Sequence, residues 1–456
     1  MENIITNFWN RNKIILKSFW IGILILLLLI PTMFIQNLVS ERQQRQQEAI
    51  SEISSRWAGA QTLTGPVIGI PYTETVTDGS TPRNVKRWAY FLPGKLDIQA
   101  QMVPEKRYRG IYQVIVYTTE LQLHGAYDSL HLAELNIPSD RLLWNEAAVF
   151  FDLSDVQGLK EEVILHFSAS PSAAAAVSDL DLVPGKYSTD QFKNALSAGL
   201  PAWLSAEDLG THRPAYAGPL EFSATLRLKG TGNLSFVPVG RETKVQASSA
   251  WPDPSFTGTY LPDLRTIKGN GFVADWKVLA LNRKYPQQWK LGEFDLGASA
   301  FGVSLIVPVD SYQQTTRSVK YAILVILLTF TAFFLIEWIY RRPIHSLQYI
   351  LVGFALCLFY TLLLSFSEYI GFNSAYGIAA VATIGLITWY VGSILRSAGM
   401  SLFITALLTL QYGFVFTLIQ LQDYALLMGS IGLFITLAAV MYFSRKIKWQ
   451  TEQLPR

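Results

Sequence analysis

SVKYAILVILLTFTAFFLIEWIY, residues Ser318–Tyr340, decides the architecture of this chain. From Tyr321 to Ile339 its one ionisable residue is Glu337, near the far end. As an α-helix rising about 1.5 Å per residue, this run covers roughly 28 Å, close to the thickness of a bilayer core. Lys320 precedes it, and Arg341 and Arg342 follow at once. From about residue 40 to this point the chain is polar; beyond it, apolar runs repeat. The mean hydropathy of +0.25 over 456 residues therefore averages two unlike populations.

Toward the N-terminus, Arg11, Lys13 and Lys17 lead into FWIGILILLLLIPTMFIQNLV (Phe19–Val39). The run is too long for the apolar core of a secretory signal, and no small-residue cleavage site follows, so it reads as an uncleaved anchor. Pro31 is expected to kink it, with the freed backbone groups satisfied by neighbours. Residues 40–57 lack Gly and Pro and keep a loose helical spacing at Val39, Ile50, Ile53 and Trp57. They are expected to continue the first helix as a polar stalk whose charges form a solvated face.

Residues 58–318 have the texture of strands and can bury their own core as one domain or two. Expected strands are Thr64–Tyr72, Arg87–Gly94, two within Arg109–Asp128, Glu161–Ser170, and Leu220–Gly240 broken by the turn signal Gly230-Thr231-Gly232-Asn233. Further strands are expected within Thr243–Pro262, Gly271–Leu281 and Gly297–Val309. Phe222, Ala224, Leu226 and Leu228 give a clear period of two. Thr77–Asn84 reads as a turn-rich gap, Leu130–Leu135 as a helical turn, and Asp190–Leu204 as a short helix. The small-residue stretch Pro171–Gly185 is the best internal boundary. Val103-Pro104 with Gly125 and Tyr127, set against Val237-Pro238 with Gly258 and Tyr260, would make the two halves similar.

Toward the C-terminus, residues 319–340, 345–366, 374–395, 401–421 and 425–443 form five apolar segments, and residues 19–39 make six. Arg341 and Arg342, Arg396, and Arg445, Lys446 and Lys448 fall on the same side as Arg11, Lys13 and Lys17. The alternate short loops hold Glu368 and Asp423 and no Lys or Arg. The positive-inside rule then places residues 1–18 and the tail 444–456 in the cytoplasm, and residues 40–318 outside. The fold class expected is an α+β membrane protein: six transmembrane helices with a large β-rich domain between helices one and two.

The net charge of +3 does not argue for nucleic acid. The single cysteine, Cys357, lies in an apolar run, so the soluble region owes nothing to disulfides. The sequence contains no G-x-S-x-G, P-loop, G-x-G-x-x-G or H-E-x-x-H pattern. His124, His131, His166, His212 and His345 are scattered without ligand spacing, and Glu161-Glu162 and Glu207-Asp208 read as solvated charges. No catalytic residue, metal ligand or cofactor is expected, and the chain is read as non-enzymatic.

The candidate intramembrane polar residues are Glu337 and Glu368, because ionisable groups are costly there. Arg341, four positions after Glu337, is the expected partner at an interface. Glu368 is expected at the outer boundary, where water is close. Neutralising either is expected to affect only local stability. Candidate partner contacts are Trp251, Pro252, Pro254 and Phe256, although Trp-Pro turns also serve as structural plugs.

Several motifs in order resemble the CreD family of Gram-negative inner-membrane proteins. They are Gly65-Pro66 with Ile70-Pro71, Gly110-Ile111-Tyr112, Gly230–Ser235, Trp251-Pro252, Pro254-Ser255-Phe256, Lys320–Leu324, Gln348-Tyr349, Leu351-Val352-Gly353, Glu368 and Gly371-Phe372. The likeness runs from about residue 19 to 449. Asn233 stands where relatives have an acid, and Val239 interrupts the usual Gly pair. Asn still suits a turn. The resemblance implies a protein of envelope integrity and stress, linked to the CreBC two-component system and to colicin tolerance, and brings no catalytic residues. The expected partners are membrane lipid and a periplasmic or inner-membrane protein. The second reading is a transporter or lipid-handling protein with its path among helices two to six.

Overall fold

The computed structural model describes residues 13–78, 81–128, 130, 132–169, 177–193, 195–201, 220–290, 292–305, 311–340, 344–395, 397–421 and 424–444. Arg11, Arg341, Arg342, Arg396, Asp423 and the basic tail, with His131, His212, Glu207-Asp208 and residues 170–176, lie outside them. The chain divides into a helical unit, residues 1–47 with 309–456, and a β-rich unit, residues 48–308.

In the β unit, the alternation at Leu220–Thr231 becomes a two-faced strand. Phe222, Ala224, Leu226 and Leu228 are buried, and Glu221, Thr225 and Arg227 are exposed. That strand pairs antiparallel with Tyr112–Tyr127 from Val116↔Thr231 to Tyr127↔Leu220. Gly232, at φ 70°, makes the turn into the strand Asn233–Phe236. Hydrogen-bonded strands form a sixteen-stranded sheet through the unit, fourteen along one path and two paired beside it. Two of its pairings are parallel, Gln61–Leu63 with Leu234–Phe236 and Glu242–Ser249 with Lys95–Met102. Phe150, Phe151, Phe167, Tyr127 and Phe236 are all fully buried in the unit.

Several expectations are corrected here. The expected boundary holds the strand Val177–Pro184, whose residues 177–182 pair with Val163–Ala169 and whose Val183 and Pro184 pair with Ser197 and Leu196. The proposed repeat does not superpose in kind. Pro104 and Gly125 lie within paired strands, whereas Pro238 lies outside any strand and Gly258 ends one with φ 96°. The expected helix at 190–204 contains the strand Leu196–Gly199, paired to Ala148–Phe151; residues 202–204 lie outside the described ones. The gap at 77–84 is a hairpin whose ladder reaches Asp78↔Thr81. Arg109–Asp128 holds one long strand and not two, because Gly110-Ile111 is the turn from the unforeseen strand Lys95–Arg109.

The stalk charges are not simply solvated. Glu52 meets Arg109 at 2.9 Å and Arg56 at 3.0 Å. Trp57 lies between two cations, Arg107 at 5.0 Å and Lys229 at 4.8 Å from its ring. Each such contact contributes about 0.5–2 kcal/mol. Trp57→Leu should therefore lower the melting temperature of the purified protein while Arg56→Gln barely moves it; equal small shifts would show that the ring does not anchor this segment.

Asp152, on the strand Ala148–Leu153, has its carboxyl pushed above the ordinary value by burial. A raised folded-state value means the native protein binds more protons than the unfolded chain through that window. Stability then falls as pH rises from the ordinary carboxylate range to the raised value, and levels off above it. Asp152→Asn should stabilise the β unit at neutral pH and leave it unchanged below the window. Melting curves across acid pH check this, and a variant less stable at pH 7 would refute it.

In the helical unit, α1 (Lys13–Trp57) is one helix through Pro31, and its last ten residues belong to the β unit. α2 (Ser311–Lys320) and α3 (Ala322–Tyr340) are separated by Tyr321, where i→i−3 bonds Tyr321 N–H to Ser318 O (3.0 Å) and Leu324 N–H to Tyr321 O (3.1 Å) tighten the chain. α4 (Ser346–Ile370), α5 (Phe372–Leu395), α6 (Ala398–Gln420) and α7 (Ala425–Ser444) follow. Gly371, at φ 77°, turns α4 into α5. Among the described residues, five helices are long and apolar enough to cross a membrane, where six were expected. The sixth segment is the helix α7, of which the stretch Leu427–Ala438 counts as apolar among the described residues.

Candidate functional site

α1 buries a stripe at helical spacing: Leu28, Thr32, Ile35 and Val39. Lys17 and Arg42 extend the same stripe, eleven residues before Leu28 and three after Val39. Each reaches a carboxylate of the helical unit. Lys17 forms an ion pair with Glu337 of α3 and donates to Ile344 O at 2.9 Å. Tyr349 of α4 donates its hydroxyl to Glu337 Oε2 at 3.1 Å. Arg42 Nε lies 3.8 Å from Glu368 Oε1, and the Tyr312 hydroxyl donates to the same oxygen at 3.1 Å. The two carboxylate side chains are 14% and 9% exposed, low enough that each depends on its partners.

The expected partner of Glu337, Arg341, lies outside the described residues, and Lys17 is the cation found. Glu368 is partnered by a tyrosine and an arginine rather than by water alone. Tyr349 and Glu368 stand nineteen residues apart on α4, roughly 28 Å along the helix. The two carboxylates therefore form separate clasps and not an acid–base dyad, which needs both groups on one reacting centre. Between these levels, the Thr329 hydroxyl donates to Gln411 Oε1 at 3.1 Å, linking α3 to α6, and both residues are buried.

The candidate contact residues of the β unit are placed inward. Trp251 is 8% exposed and sits under Lys106, whose Nζ is 5.7 Å from its ring. Phe256 packs edge-on against Phe272 at 5.9 Å and Trp276 at 5.7 Å. Pro252 and Pro254 are half-buried. Trp251 is thus buried, while Pro252, Pro254 and Phe256 keep part of their surface exposed. Among the described residues, no three or more His, Cys, Asp or Glu side chains gather as a metal site. The sequence reading missed Lys17, Arg42, Tyr312, Tyr349 and Thr329. A signal for the first two was present, since they lie on the apolar stripe of α1.

A bundle of apolar helices bound by partly buried ion pairs, with a large β-rich unit in the same chain, defines a multi-pass membrane protein of mixed α and β structure. The chain belongs to the CreD family: the family's sequence model, "Inner membrane protein CreD", matches residues 13–450. It is 33% identical over 444 residues to the inner membrane protein CreD of Escherichia coli K12, covering 95% of this chain and 93% of that protein.

Proposed function

We propose that this protein maintains or senses the state of the cell envelope without catalysing a reaction, and that its β unit binds an envelope partner in the periplasm. In this reading both termini are cytoplasmic and residues 40–318 are periplasmic. The observation that carries it is the neutralisation of Glu337 and Glu368 by Lys17 and Arg42. These are the two carboxylates a coupled transporter would need free. Family membership supports the inner-membrane setting. A transporter or lipid-handling protein with its path among the helices is the second reading, favoured by the buried Thr329–Gln411 pair at mid-helix.

The test joins topology to phenotype. Reporter fusions after Arg342, Arg396 and Lys448 should be cytoplasmic, and one at Ala175 periplasmic. In a deletion strain, a Thr329→Val, Gln411→Leu double variant should restore envelope tolerance at normal membrane abundance. A cytoplasmic signal at Ala175 would overturn the topology. An abundant double variant without function would favour the transport reading.

A further inference from the structure

Beside the contact of Leu28 with Gly353 and Cys357 of α4, a groove lies between the two helices. At Gly353 they meet closely, since a Cβ there would lie 2.3 Å from Leu28 Cδ1. Ile30, Pro31, Phe34 and Ile35 of α1 and Phe354, Cys357, Leu358 and Thr361 of α4 then enclose a cavity of about 290 Å³. Its floor is the buried pair Ile35 and Cys357; its walls, Ile30, Phe34, Phe354 and Leu358, are exposed, Phe34 to 69%. No charged group lines it, and Thr361 supplies the one hydroxyl.

We propose that this groove holds one acyl chain of a membrane phospholipid. All eight lining residues lie in helix stretches apolar enough to span a membrane, so the medium at the groove is hydrocarbon and not water. A void there would forfeit the dispersion contacts of its lining, and α1 cannot close it by collapse. The Lys17–Glu337 and Arg42–Glu368 pairs hold α1 at two levels, and the prolyl ring of Pro31 and the wall side chains prop the gap between. Charge also fits. Arg42 follows Phe34 by eight residues, about 12 Å along the helix, which is the depth separating a lipid phosphate from the middle of its chain. Its side chain is 40% exposed beside Glu368.

The experiment uses the full chain in bilayer nanodiscs made with phosphatidylglycerol carrying a mid-chain diazirine. After irradiation, adducts should concentrate on peptides containing residues 30–35 and 354–361. Leu358→Trp, which fills the groove from its wall, should reduce those adducts at least fivefold with an unchanged melting temperature. If that variant misfolds, Thr361→Met makes the same test. A parallel arm with a diazirine free fatty acid separates the sources: labelling of the groove by the fatty acid and not by the phospholipid overturns the phospholipid assignment. Equal yield at the exposed Trp389 and Phe434 would reduce the groove to ordinary boundary lipid, as would labelling indifferent to the filling variant. As an independent readout, an alkyl maleimide should modify Cys357 several-fold more slowly in lipid than after delipidation; equal rates count against an occupant.

Discussion

Phe150→Ala should lower the stability of the β unit by about 3–5 kcal/mol, the range for deleting a buried phenylalanine. Phe150 is fully buried on a strand paired on both sides, to Val67 in one direction and to Ser197 in the other. Its ring stacks on Phe192 at 5.2 Å with 12° between planes and takes the edge of Trp88 at 5.6 Å. Gly69 lies against it so closely that a Cβ there would be 2.6 Å from Phe150 Cε2. The cavity left by truncation cannot close, because the strands on either side are fixed by their ladders. Chemical denaturation of the full-length protein, followed by tryptophan fluorescence, checks this against Val183→Ala. Val183 is 45% exposed, so its change should stay within about 0.5 kcal/mol. Comparable midpoints for the two variants would mean that this aromatic cluster is not the centre of the core.

The contrast between those residues shows what a sequence can carry. Alternation at Leu220–Thr231 was readable because each side chain there reports one face of a half-buried sheet, and the structure buries the predicted set. Lys95–Arg109 alternates as cleanly over its first half, yet Val103-Pro104 and the basic residues after it resemble a loop. It pairs antiparallel with Tyr112–Tyr127 across the Gly110-Ile111 turn and parallel with Glu242–Ser249, and only the second partner is distant in sequence. Leu196–Gly199 has a composition that suits a helix, and hydrogen bonds to Ala148–Phe151 and to Val183-Pro184 make it a strand. The membrane helices were legible because a bilayer demands length and apolarity together. Glu337 and Glu368 were legible as costly residues. Their partners were not, because Lys17 and Arg42 lie at the far end of the chain in sequence.

That last point leads to a measurable coupling. Glu337→Gln should cost about 1.5–3 kcal/mol, the worth of a hydrogen bond to a charged group, because it leaves Lys17 with Ile344 O and no carboxylate. Lys17→Met should cost a similar amount, since Glu337 would keep only the Tyr349 hydroxyl. If the clasp is real, the second change costs little once the first is made, and the double variant should fall well short of the sum. Thermal unfolding of the four proteins, purified under one lipid condition, gives the cycle. A neighbouring pair should depart from additivity by more than about 0.5 kcal/mol, the tolerance for independent sites. Additive losses, or coupling of Glu337→Gln to Arg341→Met instead, would return the carboxylate to the partner suggested by helical spacing. The same variants separate stability from activity. Lys17 and Glu337 are argued to hold α1 and not to carry an ion. Complementation of a deletion strain should therefore follow membrane abundance through all four proteins, and the double variant should recover both together. Loss of phenotype at full abundance would place a moving charge at Glu337, which a static clasp cannot supply.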